Sequence, residues 1–132
     1  MISFKVEGSP VSKGRPRFAR KGKFISTYID KSTKDAETNF RAQAAVYKPQ
    51  TPISGAIKLT LIFASIKPKS KPKKVKHWIT RPDLDNYIKL VEDAMNKIFW
   101  IDDSQIVEIQ ATKIYSDNCY TEVKIEELGV VI

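Results

Sequence analysis

Four aspartates and one lysine are the residues of this chain best suited to chemistry. Asp83 and Asp85 open the segment RPDLDNYIKLVEDAMNKIFWIDDSQIVEI, residues 81–109, Asp102 and Asp103 stand near its end, and Lys89 lies between. The segment holds seven of the fifteen acidic residues and follows a stretch, residues 38–82, that has none. Carboxylates at i and i+2 of an extended approach to a helix point the same way, so Asp83 and Asp85 can face one cation. Mg2+ favours one or two carboxylates and keeps its other positions for water and phosphate oxygens. A third acid can come from Asp102–Asp103. The intervening helix of about 14 residues would span about 21 Å, however, so the following chain must make the return. Lys89 shares a helical stripe with Asp85, Glu92 and Asn96, where an ammonium can meet a scissile phosphate.

Ordinary roles compete for the same residues. Asp83 is a natural N-cap, and Asp85 in a first helical turn favours the helix dipole by about 0.3–1 kcal/mol. Asp85 and Lys89 are spaced for an i, i+4 pair, and Asp102-Asp103-Ser104 is an acceptable turn. Lys89 can equally belong to a solvated helix face.

The charge distribution tips this balance. The net charge is +8. Residues 1–82 carry 19 Lys/Arg against 4 Asp/Glu, a balance of +15, and residues 83–132 carry 4 against 11, a balance of −7. A basic half suits a polyanion, but a carboxylate cluster beside it repels phosphate unless a cation sits between them. Lys13, Arg15, Arg17, Arg20, Lys21 and Lys23 form one basic run; Lys67, Lys69, Lys71, Lys73, Lys74 and Lys76 form another, with Arg81 beyond it. Such runs bind phosphates without reading bases. Phe18, Phe24 and Trp78 are interleaved and can stack on bases, although Trp78 also fits a core or dimer contact. His77 is the only histidine and makes no zinc site.

Several elements must position these groups. A chain of 132 residues, 42% apolar, reads as one globular domain, residues 1–132, with a small core. No segment has the roughly 18 apolar residues of a membrane span, and the first residues lack a signal-peptide core. The lone Cys119 excludes an internal disulfide, so a reducing, cytoplasmic setting is expected. Ile2, Phe4 and Val6 alternate in a strand. Residues 8–24 read as a basic loop, with an extended arm over 24–28. Asp30 or Ser32 can cap a helix to about Tyr47, with Ala36, Phe40, Ala44 and Tyr47 inward.

Ile57, Leu59, Leu61 and Phe63 mark a second strand, followed by a Lys/Pro-rich loop. A helix over residues 83–96 buries Leu84, Tyr87/Ile88, Val91, Met95 and Ile98. Strands over 105–115, with Val107, Ile109 and Ala111 inward, and over 120–126 would close a hairpin at Ser116-Asp117-Asn118. The order β-α-β-α-β-β predicts a single α/β (α+β) domain, a small mixed sheet packed by two helices.

DLDN with a lysine four residues past its second Asp, then FWIDDSQIV, resembles the RusA family of Holliday junction resolvases, and GSPVSKGRPRF resembles a basic element near the start of many members. The resemblance is specific over residues 83–89 and 99–107 and compatible with nearly the whole chain. It implies a phage- or prophage-associated, intracellular homodimer that nicks branched DNA in recombination and repair, with one Mg2+-dependent site per subunit. Mn2+ is a substitute ion. By the same match Asp83, Asp85 and Asp103 would hold metal, Lys89 would be catalytic, Asp102 would be a bystander, and the fold would return Asp103 to the first pair. The rivals are a non-catalytic DNA-binding module and a nuclease for flaps or forks. No membrane partner or nucleotide cofactor is expected, because GSPVSKGRPR has too few glycines at the wrong spacing for a P-loop.

Overall fold

The computed structural model describes residues 1–13, 17–21, 24–28 and 31–129, and of residues 17–21 and 24–28 the backbone alone. The elements are β1 (Ile2–Glu7), β2 (Arg17–Lys21), β3 (Phe24–Tyr28), α1 (Lys31–Ala44), β4 (Ile57–Ser65), α2 (Leu84–Met95), β5 (Ile106–Tyr115) and β6 (Tyr120–Glu127). One sheet runs β1-β6-β4-β5, and β2 and β3 form a separate two-stranded ribbon. The architecture is the expected α+β domain, a mixed sheet with two helices on one face.

The sheet is one-sided because its strands alternate. On β4, Ile57, Leu59, Leu61 and Phe63 are at most 1% exposed, whereas Lys58, Thr60 and Ile62 on the other face stay half-buried. Phe4 and Val6 of β1 and Val123 and Ile125 of β6 extend the apolar face. Tyr87, Leu90, Val91, Ala94 and Met95 of α2 cover it, joined by Phe40 and Ala44 of α1. Leu84, Ile88 and Ile98, expected on the same buried face, are partly buried and pack against this core. Pro49 and Pro52 do follow the first helix, but its last turn tightens to a 3₁₀ turn, Ala45–Tyr47. That change rotates Tyr47 outward, where it is 47% exposed and stacks on Phe4 with centroids 4.9 Å apart.

Three expectations need correction. The basic stretch is not all loop, because Arg17–Lys21 pairs antiparallel with the expected arm Phe24–Tyr28. Gly22 and Lys23, which join them, lie outside the described residues, as do Arg15 and Asp30. Nor do the last two strands form a hairpin, since β4 sits between them, parallel to β5 and antiparallel to β6. The chain crosses by α2 to lay β5 on one side of β4. It then passes the end of β4, where the Ser116 amide donates to the Ser65 carbonyl at 2.9 Å, and returns as β6 on the other side.

The third correction concerns β5. Val107 and Ile109 are not buried; they are 64% and 39% exposed, although Ile109 registers with the inward Leu59, and only Ala111 is half-buried. β5 is the edge of the sheet, and a register irregularity between Ile57 and Lys58 shifts the alternation at its start.

Candidate active site

α2 is the element on which the chemistry hangs. Asp83 occupies its N-cap position in extended geometry, yet its side chain makes no capping hydrogen bond. Asp85 is the acid of the first turn. Both are exposed, and neither forms an ion pair among the described residues. The capping role available to Asp83 is therefore unused, and two carboxylates are left facing solvent at a positive helix end. Arg81, Pro82, Asp83 and Asn86 line an open depression there.

Lys113 of β5 holds this end of the helix to the sheet. Its ammonium donates to the Thr80 and Pro82 carbonyls, both at 3.0 Å, and lies 5.0 Å from the Trp78 ring centroid. Trp78 is half-buried, stacked on Tyr115 at 6.0 Å and edge-on to Tyr87 at 5.7 Å. Of its alternatives, the core contact is the one observed. Between β4 and this anchor the lysine-rich segment makes tight turns at Pro68–Lys71 and Pro72–Val75. Lys69, Lys73, Lys74, Lys76 and Arg81 are exposed along it, while Lys67 and Lys71 are half-buried.

Lys13 is placed differently from its expected role on phosphate. Its ammonium is 3.1 Å from both Glu37 of α1 and Asp93 of α2, and its amide donates to the Asn86 carbonyl at 2.9 Å. Burial pulls its pKa down, but the hydrogen bonds to Glu37 and Asp93 outweigh that and hold it above the ordinary value. Its charge is spent clamping the base of the basic segment to both helices. Arg41 joins the clamp through Glu37 at 3.2 Å and the Ala94 carbonyl at 3.0 Å. Arg17, Arg20 and Lys21 fall on β2.

Lys89 is 57% exposed and pairs with Asp93 at 3.3 Å rather than with Asp85. An exposed i, i+4 pair is worth only a few tenths of a kcal/mol, so a phosphate can take this ammonium at little cost.

The second aspartate pair is locked into local structure. Asp102 caps the 3₁₀ turn Asp103–Gln105, accepting from the Ser104 amide at 3.1 Å, while the Gln105 side chain accepts from the Asp102 amide at 2.8 Å. Hydrogen bonds from Ser104 hold the Asp102 carboxyl below its usual range. Asp103 accepts from the indole of the fully buried Trp100 at 2.7 Å. Trp100 is the site residue that pattern reading missed; its signal is a Trp three residues before an Asp in FWIDD.

The aspartates are not gathered within one chain, contrary to what the resemblance implied. Asp103 follows the C-terminal end of α2, near the start of β4, where Gln105 donates to the Ile53 and Gly55 carbonyls. It is close enough to Glu92 that its charge, after burial, raises the Glu92 carboxyl. Glu92 lies seven residues past Asp85, a rise of about 10 Å. Among the described residues no three metal-ligating side chains form a group.

An α+β domain with free carboxylates at one helix mouth, beside a lysine-rich loop, has the parts of an enzyme acting on a phosphate polymer. Comparison with known proteins makes that class specific. A family model described as Endodeoxyribonuclease RusA matches residues 7–126. The uncharacterized protein YqaN of Bacillus subtilis (strain 168) is 34% identical over 138 aligned residues, covering 97% of each chain. The crossover junction endodeoxyribonuclease rusA of Lactococcus phage r1t is 36% identical over 95 residues, 68% of this chain and 70% of that one. This chain belongs to the RusA endodeoxyribonuclease family and is a nuclease. No helix among the described residues is long and apolar enough to cross a membrane.

Proposed function

We propose that the protein is a homodimeric, divalent-metal-dependent resolvase that nicks Holliday junctions in paired strands, serving recombination and repair. The carrying observation is the uncommitted pair at the mouth of α2, where Asp83 declines the capping role its position offers. Two carboxylates with open solvent beside them suit Mg2+, or Mn2+ in its place, because such ions keep sites for water and phosphate oxygens. An ion held there would supply positive charge to a scissile phosphate and would lower the pKa of an attacking water. Asp83 and Asp85 would hold it, and Asp103 is the third acid of the reading.

The chain's own groups supply the rest. Lys89, one turn past Asp85, leaves its weak pair with Asp93 and places its ammonium where transition-state charge develops on phosphate oxygens. The exposed Lys69, Lys73, Lys74, Lys76 and Arg81 grip the backbone without reading sequence, so affinity falls steeply with salt. Two sites related by a two-fold axis match a junction that needs opposing nicks.

The test is cleavage of a labelled four-way junction, a flap and a fork, with Mg2+ and with chelator, by the native protein and by Asp83→Asn. Paired junction nicks that need metal and fall more than about 100-fold in the variant, with binding retained, are expected. Equal cutting of all three substrates would reject the junction reading. Binding without cutting under any metal would reject catalysis at this site.

A further inference from the structure

Lys89 stands between two carboxylates of its own helix and takes the one that helix geometry favours less. Asp85 lies four residues before it and Asp93 four residues after. An acid placed N-terminal to a lysine at this spacing is the better arrangement, and helical side chains lean toward the N-terminus. Both rules send the ammonium to Asp85. It sits instead 3.3 Å from Oδ1 of Asp93, and Asp85 makes no ion pair among the described residues.

The cause lies outside the helix. The other oxygen of Asp93, Oδ2, is 3.1 Å from the ammonium of Lys13, which comes from the segment after β1 and also meets Glu37 at 3.1 Å. The surrounding backbone is tied down as well. The Lys13 amide donates to the Asn86 carbonyl, and Arg41 of α1 donates to the Asp93 and Ala94 carbonyls at 3.4 and 3.0 Å. The Asp93 side chain, 23% exposed, is therefore already fixed when Lys89 reaches it. Pairing there orders one side chain, whereas pairing with the exposed Asp85 would order two. Glu37 balances the charge of Lys13, which leaves Asp93 its attraction for a second ammonium.

Resting on the metal reading of Asp83 and Asp85 above, we propose that Asp93 is a positioning residue that keeps Lys89 off Asp85, so that the carboxylate stays open to a divalent ion and the ammonium to a phosphate. A lysine on Asp85 would occupy lone pairs that a metal needs and would set a positive charge beside the cation. Held on Asp93, the same ammonium is bound only weakly, and a phosphate can draw it away. Lys13 then has a task apart from gripping DNA, which is to fix the acceptor that Lys89 rests on.

Binding of Mn2+ to the DNA-free protein, followed by loss of the paramagnetic resonance signal of the free ion, tests this without cleavage. Asp93→Asn keeps an oxygen for Lys13 and so preserves the clamp, but it releases Lys89 toward Asp85. It should weaken Mn2+ binding about two- to five-fold at low ionic strength. In a Lys89→Met background the same substitution should change nothing, because no ammonium is left to move. A loosened helix, or the loss of a distant negative charge, would weaken binding equally in both backgrounds. That result, or an Asp93→Asn protein that binds Mn2+ as the wild type does, overturns the proposal. With junction DNA, Asp93→Asn should raise the Mg2+ concentration for half-maximal nicking by a similar factor and leave the rate at saturating Mg2+ within about two-fold of wild type. A lowered plateau with an unchanged half-point would mean that Asp93 aims Lys89 at the phosphate rather than guarding Asp85, and overturns the proposal equally. A wild-type protein that binds no Mn2+ would remove the metal reading itself, and this inference with it.

Discussion

The two ends of α2 carry the same residue type in near-adjacent pairs and use it in opposite ways. At the N-terminal end, Asp83 makes no cap and Asp85 no ion pair among the described residues, so local structure gains little from either. At the C-terminal end, Asp102 completes a capping box and Asp103 is held by the Trp100 indole. A carboxylate that stabilises its own backbone has its lone pairs occupied; one left idle at the positive end of a helix is available for a ligand. The contrast also shows a mixed case. Asp103 has one oxygen engaged by Trp100, which orients the carboxylate without consuming it.

The largest expected effect is at the idle end. Asp85→Asn should reduce junction cleavage more than about 100-fold while costing no more than about 1 kcal/mol of stability, the size of the helix-dipole contribution. Urea unfolding beside the cleavage assay checks both halves; a large loss of stability would make Asp85 a structural residue and break the contrast. Next in size is Trp100→Phe. It removes a donor to the half-buried Asp103 carboxylate and part of a fully buried ring, and should lower unfolding free energy by about 2–3 kcal/mol. It also frees Asp103 to rotate, so cleavage should fall more than the change in folded fraction explains. Activity tracking the folded fraction alone would confine Trp100 to the core.

How much of this was legible in the sequence follows from the range of the interactions. Alternation at Ile57, Leu59, Leu61 and Phe63 and helical spacing at Tyr87, Val91 and Met95 are local signals of burial, and both elements formed as expected. Strand partnership is not local. Nothing in residues 106–127 distinguishes a hairpin from two strands flanking β4, because only the crossover through α2 decides it. Composition misled in two places. Dense Lys and Arg hid the β2–β3 ribbon, and the apolar Val107 and Ile109 looked inward although their strand is an uncovered edge. The same limit applies to charge: Lys13 sits in a basic run, but only tertiary structure brings Glu37 and Asp93 to it. Asp83 and Asp85 were readable as a pair from spacing, whereas their relation to Asp103 depends on the whole fold.

A smaller effect sharpens the contrast at Asp102. Asp102→Ala removes the acceptor for the Ser104 amide and opens the capping box, so the midpoint of thermal unfolding should fall by a few degrees. Cleavage per folded molecule should be unchanged. Asp102→Asn, which retains a capping oxygen, should restore the midpoint. Loss of cleavage in both variants would place Asp102 with the metal-binding acids.

The smallest effect concerns Glu92, which senses the charge of Asp103. Burial first, then the charge of Asp103, raises the Glu92 carboxyl above its ordinary value of 4.5, and Lys89 offsets part of this. The folded state therefore holds that proton more tightly than the unfolded chain does. Its contribution favours folding fully below about 4.5 and is lost as pH rises through the folded-state value. At neutral pH an ionised Glu92 is thus a mild liability. In metal-free buffer Glu92→Gln should raise the unfolding midpoint at pH 7 by on the order of a degree, because solvent screens a half-buried group. The gain should disappear on acidification, as the native side chain takes up its own proton. Asp103→Asn should produce a similar pH-dependent gain by removing the charge that Glu92 feels, and the double variant should gain less than the sum of the two. Strictly additive gains would mean that the two carboxylates do not sense each other, and Asp103 would then owe its position to Trp100 alone.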